Sequence, residues 1–251
     1  MVRELKVSDN VSIQMPGTRL DVLYEHFKEC IINQHWLPDQ QLNIDRLAAQ
    51  YDVSITPVRE ALSRLAADRL VVAAPHRGYR VAPVPSRQRV EELSAMRLLV
   101  EPYAAYGAAR RATLEDLTNL RTAYESLSQL HAKGNYEDMR PFAAHDRAFH
   151  RSVLQANRNA ALCEMYDLLG YEVSFAHIHY TRALPSPREV FTRHQGQVLE
   201  ELRVIFQAIA GGDPDGASNA MRVHVEQADI RFAELCRVAP SNVDVQRKSR
   251  T

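Results

Sequence analysis

Two groups of side chains in this sequence have types and spacings that suit them to binding chemistry. In the first group, Asp146 and His150 are four residues apart, which puts a carboxylate and an imidazole on one face of a helix. His224 lies in the last stretch with helical apolar spacing. Arg97 and Glu101 are also four residues apart. That spacing favours an ion pair within one helix, but Arg97 can instead pair with the carboxylate of a small ligand.

The second group is a cluster of arginines in a chain whose net charge is zero. Between Ser54 and Arg80, five arginines stand against two carboxylates, a local charge of +3. Guanidinium groups suit both DNA phosphates and guanine edges. Because the chain as a whole is neutral, bulk charge cannot supply DNA affinity, so specific contacts and a second copy of the chain must supply it.

The elements that position these arginines are two short helices across a tight turn. The first helix is predicted over residues 44–51, and Asp52-Val53 leaves room only for a turn. Pro57 falls in the first turn of the second helix, where its missing N–H costs nothing. One face of that helix is apolar (Val58, Ala61, Leu62, Leu65), and the opposite face carries Ile55, Thr56, Arg59 and Ser63. This pattern predicts a helix-turn-helix, whose second helix can enter a DNA major groove.

Two strand-like runs, residues 70–74 and 79–82, flank a basic tip at Pro75–Gly78. They predict the hairpin that forms the wing of a winged helix. Pro83-Val84-Pro85 then predicts a short, stiff linker. The predicted domains are a flexible N-terminal arm over 1–17, a winged helix-turn-helix over 18–84, a helical domain over 85–240 and a polar tail over 241–251.

The string LAAQYDVSITPVREALSRLAADRLV, followed by HRGYRV, resembles the GntR family of bacterial transcription regulators over roughly residues 18–84. The resemblance implies a double-stranded DNA operator contacted by Thr56, Arg59, Ser63, Arg64, Arg77 and Gly78. Three positions depart from the family pattern. The family usually has glycine at the positions of Asp39 and Arg69, and arginine at that of Ile55. That arginine normally contacts DNA, so the contact is either absent here or supplied by another residue.

Beyond Ser86 the apolar spacing predicts about six helices. Pro102 predicts a kink or break in the first of them, and a single helix is predicted over 159–180. Asp213-Pro214 begins the last helix as an N-cap followed by proline. A helical domain of this length can bury a core and enclose a ligand cavity.

This second half resembles the FCD ligand-binding domain, which follows the winged helix in the FadR subgroup of the GntR family. The marks of the resemblance are Arg97 with Glu101, Asp146 with His150, and Met221 with His224. It implies a small effector, commonly a carboxylic acid, bound at Arg97, Asp146, His150 and His224. Many FCD domains also hold a divalent metal through one Asp and three His. Asp146, His150 and His224 map onto three of these ligands, whereas the fourth position is Leu202, which cannot ligate.

Two alternatives are therefore open for this site. In the first, zinc or nickel is held by three protein ligands, and water or the effector completes the coordination shell. In the second, Asp146 and His150 form a buried hydrogen-bonded pair and no metal binds. His194 lies eight residues before Leu202, about 12 Å along a helix, and is a poor substitute for the missing ligand. His177 and His179 lie on another predicted helix, and nothing in their spacing requires them at the site.

Composition narrows the function further. The sequence has no apolar run of membrane-spanning length, no apolar signal core, and three widely separated cysteines, which together predict a cytoplasmic protein without disulfides. We expect a transcription regulator and not an enzyme. We expect it to act as a repressor and to bind a palindromic operator as a homodimer. The alternative is a metal-dependent hydrolase built on Asp146, His150 and His224. That alternative lacks any His-Glu-x-x-His, Gly-x-Ser-x-Gly or phosphate-binding glycine motif.

Overall fold

The computed structural model describes residues 2–7, 11–16, 18–32, 35–74, 78–133, 139–169 and 171–238. Its internal contacts divide the chain after Val84 into two compact units. Gly170–Glu172 are grouped with the first unit, and the remainder of the chain after Val84 forms the second.

The first unit combines helices with short strands. In chain order its elements are β1 (Val2–Val7), β2 (Val11–Pro16), α1 (Arg19–Ile32), β3 (Gln41–Leu42), α2 (Ile44–Gln50), α3 (Ile55–Ala67), β4 (Val71–Ala74) and β5 (Gly78–Val81). Helices α2 and α3 are the predicted helix-turn-helix, with Asp52 at φ 49° in the turn between them. The three helices α1 to α3 and the β4–β5 hairpin confirm the winged helix-turn-helix.

The apolar face of α3 is buried as its spacing predicts. Val58, Ala61, Leu62 and Leu65 are all fully buried, and α3 packs against α1. On α1 the buried residues include Leu23, Phe27 and Ile31. This packing leaves the opposite face of α3 exposed, so the fold presents that face for contact with another molecule.

The wing is a three-stranded sheet rather than the two-stranded hairpin that the sequence predicts. Its strand order is β3-β5-β4, with Leu42 opposite Tyr79. A strand of two residues is too short to show apolar alternation, which is why the sequence does not reveal β3. Gly78 has φ 80°, and a Cβ there would lie 3.2 Å from the Leu42 carbonyl oxygen. The wing tip, including Arg77, lies outside the described residues.

Asp39 and Arg69, two of the positions that depart from the family pattern, have left-handed backbones. Their φ angles are 64° and 59°. Glycine adopts this conformation without penalty, whereas other residues lose about 1–2 kcal/mol. The left-handed backbone therefore explains why the family usually has glycine at these two positions. This chain adopts the same backbone conformation with other residues. Asp39 is partly compensated, because Arg80 Nη1 donates to its carbonyl oxygen at 2.9 Å.

The segment predicted as a flexible arm contains two paired strands. β1 and β2 are antiparallel, with Val2 opposite Pro16 and Val7 opposite Val11. The strands are a correction to the expectation of an arm without secondary structure. Val11, Ile13 and Met15 nevertheless alternate at the two-residue period of a strand, and this pattern signals β2.

The second unit is entirely helical in its described residues. Its helices are α4 (Arg87–Arg111), α5 (Leu114–Lys133), α6 (Met139–Ala156), α7 (Ala160–Leu168), α8 (Glu172–Arg182), α9 (Pro187–Ala210) and α10 (Pro214–Val238). Residues 239–251, which include the predicted polar tail, lie outside the described residues. None of the described helices has an apolar stretch long enough to cross a bilayer.

Two predictions about these helices need correction. Pro102 does not break α4, which continues for nine residues beyond it to Arg111. The single helix predicted over 159–180 is two helices, α7 and α8. The sequence has Gly170 between them, and glycine is about 1 kcal/mol less favourable than alanine inside a helix.

The core of the second unit holds α4, α6, α9 and α10 together. Helix α4 packs along α10 and against α6, and its small buried residues Ala104, Ala105 and Ala108 permit a close approach. At Gly107 an added Cβ would lie 1.6 Å from the side-chain oxygen of Asn157, so a larger residue there requires the Asn157 side chain to move. These contacts position side chains from four helices around one interior site.

Candidate functional site

The exposed face of α3 carries the side chains predicted to contact DNA. Thr56, Arg59 and Ser63 are all exposed there, and Ile55 is 42% exposed beside them. Within the described residues Arg59 has no ion-pair partner. Arg64 is also exposed, but its Nη1 contacts Asp21 Oδ1 of α1 at 2.9 Å. The face therefore offers one uncommitted guanidinium flanked by hydroxyl groups.

Asp146, His150 and His224 converge in the interior of the second unit. One potential ligand atom from each residue lies within 4.8 Å of the other two. Nε2 of His150 is 3.1 Å from Nε2 of His224 and 3.9 Å from Oδ1 of Asp146. Both imidazoles are fully buried, whereas Asp146 is half-buried. The fold thus brings together three residues that come from α6 and α10.

A carboxylate lies against the other nitrogen of each imidazole. Nδ1 of His150 is 2.6 Å from Glu101 Oε2, an ion-pair contact whose angle falls outside good hydrogen-bond geometry. Nδ1 of His224 is 2.7 Å from Glu201 Oε2. A carboxylate at Nδ1 favours the tautomer that leaves Nε2 as an acceptor, which is the usual arrangement around a metal-ligating histidine. The two Nε2 atoms, which lie 3.1 Å apart, can therefore both act as acceptors for the same ion.

Each of these carboxylates is also paired with a buried arginine. Arg97 Nε contacts Glu101 Oε1 at 2.5 Å, and both nitrogens of the Arg231 fork contact Glu201 at 2.5 and 2.9 Å. Burial alone would raise the pKa of Glu101, but the Arg97 guanidinium and His150 outweigh it and hold the pKa below its ordinary value. Burial lowers the pKa of His224 and so favours the neutral imidazole that a metal needs.

A divalent cation fits this cluster. Oδ1 of Asp146 is buried and has no hydrogen-bond partner among the described residues, although a buried carboxylate oxygen normally has one. Two acceptor nitrogens and one unpartnered carboxylate oxygen are a donor set that zinc and similar ions accept. Leu202 is fully buried and contributes no ligand. His177 and His194 do not belong to the cluster in the described part of the chain.

The cluster borders a cavity of about 130 Å³. That volume is below the roughly 300–1,000 Å³ of pockets for drug-sized ligands, so the cavity fits a small molecule. Its lining combines residues of the cluster with apolar and polar residues of α4, α6, α8, α9 and α10. They include Arg97, Asp146, His224, Phe142, Phe191, Ile178, His177, His194, Gln195 and Arg231.

Sequence reasoning missed three residues of this site. Glu201 and Arg231 support His224, and Gln195 lines the cavity. Arg231 lies seven residues after His224, a spacing that places both on one helix face and would have indicated it. No signal in the sequence indicates Gln195, since one glutamine in a helix is usually exposed.

Together, the winged helix and the helical unit with its interior ligand cavity define a DNA-binding regulator that senses a small molecule. Residues 20–81 match the family described as bacterial regulatory proteins, gntR family, and residues 92–227 match the FCD domain. The chain belongs to the GntR family and carries an FCD domain. It is therefore a transcription regulator and not an enzyme, and the metal-dependent hydrolase alternative has no support.

Individual relatives agree with this assignment. The chain is 33% identical over 179 residues to the probable D-xylose utilization operon transcriptional repressor of Paenarthrobacter nicotinovorans, covering 71% of this chain and 73% of that one. It is 28% identical over 190 residues to the HTH-type transcriptional regulator McbR of Escherichia coli K12, covering 76% and 81%.

Two solved structures have the same fold. The structure of E. coli McbR/YncC superposes with a TM-score of 0.68 at 24% identity, covering 88% of this chain and 98% of that one. A putative GntR regulator from Rhodococcus sp. RHA1 superposes with a TM-score of 0.64 at 23% identity, covering 87% and 99%.

Proposed function

We propose that this regulator binds its operator through the exposed face of α3 and senses a small carboxylic acid at a metal in the FCD cavity. The observation that carries the sensing half is the unpartnered Oδ1 of Asp146, which lies beside two imidazole nitrogens at the edge of the cavity. Binding of the acid at the metal changes the affinity of the protein for its operator. We expect the protein to repress transcription and the acid to relieve that repression.

The metal of this proposal is zinc or nickel, held by Asp146, His150 and His224. A divalent ion in this position supplies coordination for a carboxylate oxygen of the effector. Asp146, His150 and His224 would hold the ion, and because Leu202 supplies no fourth ligand, a carboxylate oxygen of the effector or water would complete the coordination shell. Glu101 and Glu201 orient the two imidazoles by their contacts with Nδ1. Isothermal titration of the wild-type protein with zinc tests the proposal, and failure to bind would refute it.

The effector of this proposal is a small organic acid. The carboxylate of a buried effector needs a cation or a strong hydrogen-bond donor beside it. The carboxylate of Asp146 adds a second negative charge at this place, and a divalent metal supplies the positive charge that balances both. One relative, 27% identical over 231 residues, is named the galactonate operon transcriptional repressor of E. coli K12, and galactonate is a carboxylate. That name supports an acid as the class of effector.

Arg59→Ala is expected to weaken operator binding. Arg59 is exposed on α3 and has no ion-pair partner within the described residues, so its guanidinium is available to a guanine edge. Loss of a bidentate contact costs about 1–3 kcal/mol, or roughly 5- to 150-fold in affinity. A gel-shift titration with an operator selected from random DNA measures the change.

The matched control for this experiment is Arg222→Ala. Arg222 is exposed on α10 in the helical unit, so its removal changes the net charge equally. We expect the control to bind the operator like the wild type. Equal affinity of Arg59→Ala and Arg222→Ala would remove Arg59 from the set of DNA-contacting residues.

We also propose that the protein binds a palindromic operator as a homodimer through α4. One winged helix offers few phosphate contacts, so a second copy is needed for tight binding. Helix α4 carries an exposed apolar stripe at helical spacing, which consists of Met96, Leu99, Tyr103 and Tyr106. The exposed fractions of Leu99 and Tyr103 are 78% and 57%. A second copy that covers this stripe would remove its apolar surface from water.

Leu99→Glu is expected to convert the dimer to a monomer. In a two-fold interface, a carboxylate in the middle of the α4 stripe would lose its water without gaining a partner. It would also lie close to the same carboxylate of the second copy, which repels it. Light scattering measures the mass. Leu114→Glu is the matched control, because Leu114 is 84% exposed on α5 and lies off the stripe. A wild type that is already monomeric, or a Leu99→Glu variant that stays dimeric, contradicts the α4 interface.

A further inference from the structure

Gln195 of α9 has a buried amide with an unused donor. The residue is only 2% exposed, it lines the FCD cavity, and its Nε2 has no hydrogen-bond partner in the part of the chain that the structure describes. A buried amide N–H without a partner is unfavourable, and such groups in native proteins are normally satisfied by a neighbour, water or a ligand. The position of this donor on the cavity wall points to a ligand atom that accepts from it.

The cations of the cavity wall are already committed. Arg97 pairs with Glu101, and Arg231 is bound by both oxygens of Glu201. All four of these side chains are buried or partly buried, so water does not weaken the pairs as it would at the surface. Neither arginine therefore offers a full positive charge to a ligand.

The histidines of the cavity that lie outside the metal cluster also carry no charge. Burial and the nearby Arg231 guanidinium lower the pKa of His177 to about 3 and that of His194 to about 4. Both imidazoles are neutral at physiological pH. Away from the metal, the described cavity wall thus offers neutral donors and apolar surface, with Phe142 and Phe191 in edge-to-face contact.

We infer that Gln195 selects the effector: a small acid with a single carboxylate and an uncharged hydroxyl or carbonyl oxygen that accepts from Gln195 Nε2. The inference rests on the proposed function, since the metal takes the one carboxylate. A second carboxylate would be buried without a counter-charge, which is strongly unfavourable. An acid without the acceptor oxygen would leave the Gln195 donor unsatisfied. The site therefore discriminates against both dicarboxylates and plain alkanoates.

Matched triples of acids test the inference with the full-length protein and zinc. Each triple has one chain length, for example butyrate, 4-hydroxybutyrate and succinate, and the triples run from three to six carbons. At one length the hydroxy acid is expected to bind about tenfold tighter than both partners, which is the effect of one satisfied buried hydrogen bond. Titration calorimetry gives the dissociation constants.

Gln195→Met keeps the length of the side chain and removes the donor. In this variant the preference for the hydroxy acid over the alkanoate is expected to fall to about one, and the ligand-free melting temperature is expected to rise. Gln197→Met on the exposed face of α9 is the control and keeps the wild-type preference. The wild-type comparison stands by itself if the variant does not fold.

The outcomes separate this inference from the proposed function. Acids that bind in a zinc-dependent manner, but with a dicarboxylate or alkanoate preferred, overturn the role of Gln195 and leave acid sensing intact. A preference that persists in Gln195→Met overturns it equally. If no acid of any triple binds with or without zinc, acid sensing itself fails and the inference fails with it.

Discussion

Glu101→Gln is expected to destabilise the helical unit by about 3–5 kcal/mol. Glu101 is fully buried, and its carboxylate neutralises the equally buried Arg97 while contacting His150 Nδ1. The amide has nearly the same shape but no charge, so the guanidinium would remain buried without its counter-ion. Breaking one side of a buried pair costs far more than the pair contributes when intact. Urea unfolding followed by circular dichroism measures the loss.

Helix α4 supplies a matched control for this prediction. Arg87 and Glu91 form a pair with the same four-residue spacing, but their side chains are 47% and 45% exposed. Water screens this pair, so Glu91→Gln is expected to cost about 0–1 kcal/mol. The difference between the two variants measures burial together with the His150 contact, because helix, spacing and chemical change are the same. Equal losses for Glu101→Gln and Glu91→Gln would contradict the electrostatic role assigned to Glu101.

Leu202→His is expected to tighten zinc binding at least about tenfold, because even the loss of an outer-shell partner of a metal ligand costs about 10- to 100-fold in affinity. Leu202 belongs to the same buried cluster as Phe149 and Val225, which are the sequence neighbours of His150 and His224. An imidazole there can complete the ligand set if its nitrogen reaches roughly 2.0–2.1 Å from the ion. Two effects oppose the gain, namely the loss of an apolar core side chain and the burial of a polar ring. We therefore expect a lower melting temperature without zinc and a higher one with it.

Leu202→Asn is the control for this variant. It also places a polar group in the core, but an amide is a much weaker zinc ligand than an imidazole. It should lower the melting temperature whether or not zinc is present. If Leu202→His behaves like Leu202→Asn, position 202 does not reach the metal. If zinc binds neither the wild type nor Leu202→His, the cluster is metal-free and the metal proposal is wrong. Asp146 Oδ1 and His150 Nε2 are 3.9 Å apart, too far for the hydrogen-bonded pair that the sequence left open as the second alternative.

Local sequence signals were sufficient for the helix-turn-helix. The apolar spacing of Val58, Leu62 and Leu65 determines which face of α3 is buried, and that choice exposes Arg59 on the other face. Periodicity is a property of the local sequence, so it identifies the buried face of a helix even when the elements that pack against it are unknown. Periodicity was insufficient where an element is very short or where one residue separates two helices. Strand β3 has only two residues, and the division between α7 and α8 depends on a single glycine.

The sequence by itself also predicted the three residues of the candidate metal cluster, which the fold brings together. Asp146 and His150 share a helix face by their spacing, and the resemblance added His224 from α10. The tertiary structure decided what surrounds the cluster. Glu101 and Glu201, from α4 and α9, each contact an imidazole Nδ1, and each is paired with an arginine. Gln195 faces the cavity rather than solvent. The two contacts between a carboxylate and an imidazole join residues 49 and 23 positions apart in sequence, and only the packing of four helices brings such residues within hydrogen-bonding distance.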